Sequence, residues 1–296
     1  MSDVFLKKFA VIAALVISLI LIMVKAFAWH VSDSVSLLSS LVDSSVDFLA
    51  SFLNFLAIYH ALKPASHHYR FGHGKVEAIA AMGQSIFIFA SACFILKEAI
   101  HHFLHPHPIE GTRIIIHATL ISLVLTIFLL LIQKHVIRKT RSLAIQADCT
   151  HYQSDLLINI GVLFVIGSGQ YFDSTWLDPL FGAFVALYIL LSSYKILKKS
   201  WEILMDRELS DHDRQKISSI ITAHPMVSGY HLLRTRSSGS GEFIQCHLEM
   251  PGDITLLEAY NASQEVEKEI RKVYPKADII LHQDPAQIME DHRHDL

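Results

Sequence analysis

Cysteine is scarce in this chain, and its placement excludes as much as its number. Only Cys93, Cys149 and Cys246 occur in 296 residues. They lie far apart and form no CxxC pair, so neither a disulfide framework nor a thiolate zinc site is indicated. Cys93 and Cys149 read as small apolar packing residues. No HExxH segment is present, which removes a common signature of a metal-dependent hydrolase. Basic excess is missing too: a net charge of −3 argues for no nucleic-acid partner. The first apolar run lacks a small-x-small cleavage pattern and is followed by further runs, so it reads as a span and not a signal peptide. No internal repeat is evident.

Apolar sequence is abundant. The chain is 52% hydrophobic with a mean hydropathy of +0.38, against ~45–50% for a soluble domain even with glycine counted. The excess sits before about residue 205. Six runs, near 9–29, 35–62, 76–101, 114–132, 143–169 and 179–197, each reach the ~20 residues that a bilayer-spanning helix needs. Lys7, Lys8, Lys63, Arg70, Lys75, Lys134, Arg138, Lys139, Arg141, Lys195, Lys198 and Lys199 all fall on one side of those runs. The opposite loops hold Arg113 together with Asp33, Glu110, Asp173 and Asp178. The positive-inside rule then places both termini in the cytoplasm, in a multi-pass protein of the inner membrane whose first partner is the lipid bilayer. Lys25, near the far end of the first run, reads as a snorkelling lysine. The basic segment 133–141 reads as a loop.

From about Asp206 the pattern changes. A helix over 211–224, capped by Ser210, is followed by strands over 230–236 and 242–249. A helix over 255–273 follows, with Leu256, Leu257, Ala259, Val266, Ile270 and Val273 as its apolar residues, and then a strand over 277–282. The fold expected is an all-α six-helix transmembrane bundle followed by a small α+β domain of order α-β-β-α-β, with helices on one face of a three-stranded sheet. The divisions are 1–205, 206–288 and a polar tail, 289–296.

The fifth run carries His151 and Asp155 one turn apart, with Asn159 a turn further along the same stripe. The second carries Asp43 and Asp47 at the same spacing. A charge in hydrocarbon costs ~2.5–3.5 kcal/mol on insertion scales, so such residues are functional candidates. One imidazole and three carboxylates match a four-ligand site for Zn²⁺ or a similar first-row ion. Histidine must be neutral to ligate, so metal arrival displaces a proton, which is a physical basis for proton-coupled antiport. The reading is a transporter of divalent metal ions and protons, not an enzyme. A metal-gated membrane sensor or a passive divalent-cation channel would use the same ligands. Two further groups offer ligands: His67, His68 and His73 in the loop after the second run, and His231, His247, His282 and Asp284 in the soluble part. Strand alternation puts His247 with Gln245 and Glu249, opposite Ile244, Cys246 and Leu248. Solvated surface histidines are the alternative for the first group, and ordinary polar-face residues for the second.

The segments SLVDSSVD, HYQSD, FGHGKVE and HQDP, spread over nearly the whole chain, resemble the bacterial cation diffusion facilitators, most closely their ferrous-iron and zinc efflux branch. The resemblance implies a homodimeric proton antiporter exporting Zn²⁺, Fe²⁺ or Cd²⁺, with a metallochaperone-like cytoplasmic domain. It implies a transport site at Asp43, Asp47, His151 and Asp155, and cytoplasmic zinc ligands at His231, His247, His282 and Asp284. A further cytoplasmic histidine of the family's pattern falls on Tyr260. In the loop site the family's aspartate and histidine are replaced by Ser66 and Tyr69, with His73 kept and His67 or His68 as the available substitutes. The family's interlock ion pair would be Lys75 with Asp206.

Overall fold

The computed structural model describes residues 3–32, 35–104, 113–168, 177–239 and 241–286. The expectations for the loops at 105–112 and 169–176, and for the tail 289–296, fall outside these residues. The chain divides into two units, Met1–Trp201 and Glu202–Leu296.

The first unit is built from long helices: α1 (Asp3–Ser32), α2 (Val35–Ala61), α3 (Lys75–Leu104), α4 (Arg113–Thr140), α5 (Leu143–Ser168) and most of α6 (Leu177–Leu204). Helix α1 shows the logic. Leu6, Ala10, Ala14, Ile17 and Leu21 are buried at the three- and four-residue steps of one face. Phe5, Phe9, Ile12, Val16, Leu19, Met23 and Phe27 cover the other face and are exposed. A helix that is apolar all round and buried on one side only belongs in lipid. Among the described residues, five helices, α1–α4 and α6, are long and apolar enough to cross a membrane. Helix α5 is as long but carries Gln146, Asp148, His151, Gln153, Asp155 and Asn159. It packs against α2, α3 and α4.

Small residues set the close approaches. Ala144 and Ala147 of α5 are fully buried, as are Ala81 and Ala92 of α3. At Gly161 an added Cβ would lie 2.3 Å from the Phe181 ring of α6. Cys149 is buried as expected, whereas Cys93 is exposed on α3. At the start of α1, Lys7 Nζ donates to Glu77 Oε2 of α3 at 2.7 Å, with side-chain exposures of 7% and 4%. The basic segment read as a loop is helical: α4 continues to Thr140 and the link to α5 is only residues 141–142. Gln, Lys and Arg are good helix formers, so the helix runs on after the apolar run stops. Helix α6 likewise extends beyond residue 197 to Leu204.

The second unit holds α7 (Asp211–Thr222), β1 (Gly229–Ser237), β2 (Glu242–Met250), α8 (Leu256–Val273) and β3 (Asp278–Pro285). Ser210 caps α7 by accepting from the Asp213 amide. Thr255 and Glu258 form a reciprocal capping box at α8. The sheet order is β1-β2-β3, with β1 antiparallel and β3 parallel to β2. Ile217 and Ile221 of α7 and Ala259, Ala262, Val266 and Ile270 of α8 pack on Ile244, Cys246, Leu248 and Ile279, so both helices cover one face of the sheet. Leu256 and Leu257, expected among the apolar residues of α8, are exposed in its first turn. Tyr260 is exposed on α8 as well.

Candidate functional site

Helix α5 is aimed by its first turn. Arg141 takes a left-handed φ of 51°, which turns the chain sharply after α4. Ser142 Oγ then accepts from the Ile145 amide at 3.4 Å, as an N-cap residue does. Asn54 of α2 donates to the Ala144 carbonyl at 3.3 Å. Two turns further along, His151 faces α2. Its Nε2 lies 2.8 Å from Asp47 Oδ1 and 3.6 Å from Asp155 Oδ2. One ligand atom from each of Asp47, His151 and Asp155 lies within 4.8 Å of the others. Asp43, one turn before Asp47, is exposed and stands outside that triad.

A second polar group lies three residues before His151. Asp148 is 1% exposed. It accepts from Gln133 Nε2 of α4 at 2.6 Å, Gln84 Nε2 of α3 at 3.1 Å and Ser51 Oγ of α2 at 3.4 Å. Ser51 also pairs with the Tyr152 hydroxyl at 2.9 Å. One carboxylate thus ties four helices together next to the triad. Asp148 is not among the residues expected from sequence, where the four-residue step from His151 to Asp155 is the plainer signal. The three-residue step back to Asp148 shares that helix face equally well.

In the second unit the strand register aligns His231, His247 and His282 in one row across β1, β2 and β3, with Glu249 and Asp284 in the next. Asp284 Oδ2 lies 2.8 Å from His247 Nδ1 and 3.2 Å from His231 Nε2, and its Oδ1 lies 3.1 Å from His282 Nε2. His231, His247 and Asp284 form a three-ligand group of metal-binding size, while the His282 side chain is 64% exposed at its edge. His231 Nε2 is buried beside Asp284 Oδ2, a position suited to a ligand nitrogen. Glu249, which was not among the expected ligands, holds His231 Nδ1 at 3.0 Å. Its place beside His247 in the strand alternation was the available signal. Gly229 makes room for it, since a Cβ there would sit 2.5 Å from Glu249 Oε2. A bulge follows His231, with Leu232 at a φ of 51°; such bulges re-aim side chains at sheet edges. Burial pushes the Asp284 carboxyl up, but the His247 hydrogen bond and the imidazoles of His247, His282 and His231 outweigh it, and the carboxyl is held below its ordinary value. On the apolar face, burial pushes the Cys246 thiol up to about 12, so it stays protonated and packs as a small apolar group.

The remaining candidates are less gathered. In the loop, Ser66 and Tyr69 exchange backbone hydrogen bonds of 3.1 Å, closing a tight turn. His67 and His68 are exposed on it, while the half-buried His73 ring lies against Tyr69 at 4.7 Å. The three histidines do not form a ligand group among the described residues. Lys75 opens α3. Asp206, at a φ of 54° after α6, pairs with Arg236 Nη1 at 3.0 Å.

Two family models match this chain. The cation efflux transmembrane domain covers residues 11–205, and the cytoplasmic domain of cation efflux proteins covers residues 209–286. The chain belongs to the cation efflux family. Its relatives include the cation-efflux pump FieF of Citrobacter koseri, 43% identical over 282 residues, which are 95% of this chain and 93% of the relative. FieF of Klebsiella pneumoniae is 42% identical over the same shares. Among solved structures, the metal-bound C-terminal domain of the CzcD transporter from Thermotoga maritima aligns with 27% of this chain and 93% of its own, at 24% identity and a TM-score of 0.26. This cation efflux protein is therefore a membrane transporter of metal cations. Its six long helices and small α/β domain match the family's fold.

Proposed function

We propose that this protein is a proton-coupled antiporter that exports divalent metal ions, Zn²⁺ first and Fe²⁺ or Cd²⁺ besides, from the cytoplasm. The observation that carries the reading is the Asp47–His151–Asp155 triad inside a bundle of apolar helices. Asp43, one turn away on α2, completes the ligand set when the cargo draws the two α2 carboxylates together. Oxygen ligands with one imidazole favour a first-row ion over Mg²⁺ or Ca²⁺. His151 ligates only when neutral, so cargo entry releases a proton and proton return releases cargo.

The same reading assigns residues 1–205 to transport, residues 206–288 to metal sensing and dimerisation, and residues 289–296 to a polar tail. The protein works as a homodimer in the inner membrane with both termini in the cytoplasm, a placement supported by the lysines and arginines on one side. His231, His247, His282 and Asp284, steadied by Glu249, hold a regulatory Zn²⁺; the gathering of His231, His247 and Asp284 into one ligand group supports that role. Within the second unit, Arg236 holds Asp206 in place. The loop set His67, His68 and His73 contributes a weak site at most, since among the described residues no carboxylate joins it.

The deciding experiment is metal flux in proteoliposomes. Zn²⁺ and Fe²⁺ are followed separately, with and without an imposed pH gradient, in wild type and in Asp155→Ala. Flux that tracks the gradient and is lost in the variant is expected. Flux indifferent to the gradient identifies a channel, and metal binding without flux identifies a sensor.

A further inference from the structure

Lys25 does not do what a lone lysine near a helix end is expected to do. Its ammonium turns inward and donates to the Ser40 carbonyl of α2 at 3.2 Å. Helical carbonyls point along the axis towards the C-terminus, so an ammonium on the Ser40 oxygen sits against the next turn, which carries Asp43. Ser40, Asp43 and Asp47 lie at the three- and seven-residue steps of one helix stripe. The Lys25 side chain is partly buried, and the carboxylates of Asp47, Asp155 and Asp43 all act on it as charges. With cargo absent His151 carries a proton on the antiport reading, but three carboxylates in a low-dielectric setting need more counter-charge than one imidazolium supplies.

We propose that the Lys25 ammonium is a second resident counter-cation of the transport site between cargo ions, beside the protonated His151. Between cargo ions it screens the Asp43, Asp47 and Asp155 carboxylates, and an arriving metal ion must displace it. This inference rests on the site reading given above. It makes Lys25 a positioning residue that weakens metal binding. The weakening serves export, because a dicarboxylate–imidazole site without a competing cation would release its ion slowly. A lysine suits the role, since it is a compact charge on a flexible stem that can withdraw and return.

The sign of the effect gives the test. Zinc binding to the full-length protein in detergent is measured by calorimetry, taking the class of sites that disappears in Asp155→Ala. Lys25→Gln and Lys25→Met are expected to bind zinc at least about tenfold more tightly, since a unit charge about one helical turn from a carboxylate is worth that much at intermediate dielectric. Zinc turnover in proteoliposomes falls in both, and Lys25→Arg keeps the wild-type affinity. Damage to packing would weaken binding, so a structural role predicts the opposite sign. Unchanged or weaker binding in both neutral variants, with binding still lost in Asp155→Ala, overturns the counter-cation role alone. Wild-type binding in Asp155→Ala overturns the site reading, and the inference with it.

Discussion

Removing one half of the Lys7–Glu77 pair should cost far more than removing both. The two side chains meet at 2.7 Å with 7% and 4% exposure, joining the first turns of α1 and α3. Each charge has left water, so the partner left behind by a single substitution is buried and uncompensated, at about 3–5 kcal/mol. Glu77→Leu strands the lysine and Lys7→Met strands the glutamate. The double variant buries two apolar side chains of similar size, and its cost is expected near zero, or reversed by up to about 4 kcal/mol. Urea or guanidinium unfolding of the detergent-solubilised protein, followed by helix content, measures all three variants together with wild type. The double-mutant cycle isolates the pair from the separate effects of each side chain. The reasoning is refuted if Glu77→Leu costs less than about 1 kcal/mol, the range of a surface pair, or if the double variant costs the sum of the singles.

Two further outcomes follow from the clusters. Asp148→Ala leaves Gln84 and Gln133 without their shared acceptor, while Ser51 keeps the Tyr152 hydroxyl; at about 1–3 kcal/mol for each buried group left unmet, a loss of about 2 kcal/mol or more is expected in the same unfolding assay, with Asp148→Asn milder because it keeps one acceptor oxygen. Asp284 is held below the ordinary carboxylate value of 3.8 in the folded chain, so on acidification the unfolded chain takes up that proton first. Its contribution to stability is therefore complete above that ordinary value and is lost as the pH falls through the lower folded value. Hydrogen exchange of β3 in the metal-free protein should show protection declining below about pH 4 in wild type, and an acid limb flattened in Asp284→Asn.

The sequence displayed what is periodic and local. Five apolar helices follow from uninterrupted runs, and α5 follows from length together with ligand-type residues at one-turn spacing. DxxxD and HxxxD put their side chains on single faces by helix geometry, so the gathering of Asp47, His151 and Asp155 needed only that α2 and α5 be neighbours. Hydropathy is blind to helix that continues in water, which is why the ends of α4 and α6 were set too early. The direction in which a lone lysine bends depends on what another helix offers it, and Lys25 had the Ser40 carbonyl within reach. Leu256 and Leu257 kept the right residue type for a core, but the face of α8 that packs on the sheet is set by Ala259, Ala262, Val266 and Ile270. The histidine row needed the parallel register of β2 with β3, a non-local fact that residue spacing does not carry.

During synthesis α5 leaves the ribosome after α1 to α4. On its own it is a poor guest for hydrocarbon, since each buried carboxylate at a helix centre costs about 2.5–3.5 kcal/mol to insert. The groups that receive Asp148, namely Ser51, Gln84 and Gln133, all lie earlier in the chain and are already in the membrane when α5 arrives. The most polar helix is thus delivered to a seam prepared for it, without partitioning into lipid alone. A circular permutant that placed α5 ahead of α2 would keep every native contact in its final state but would send that helix to the translocon with nothing to shelter it, and quality control rather than transport would decide its fate.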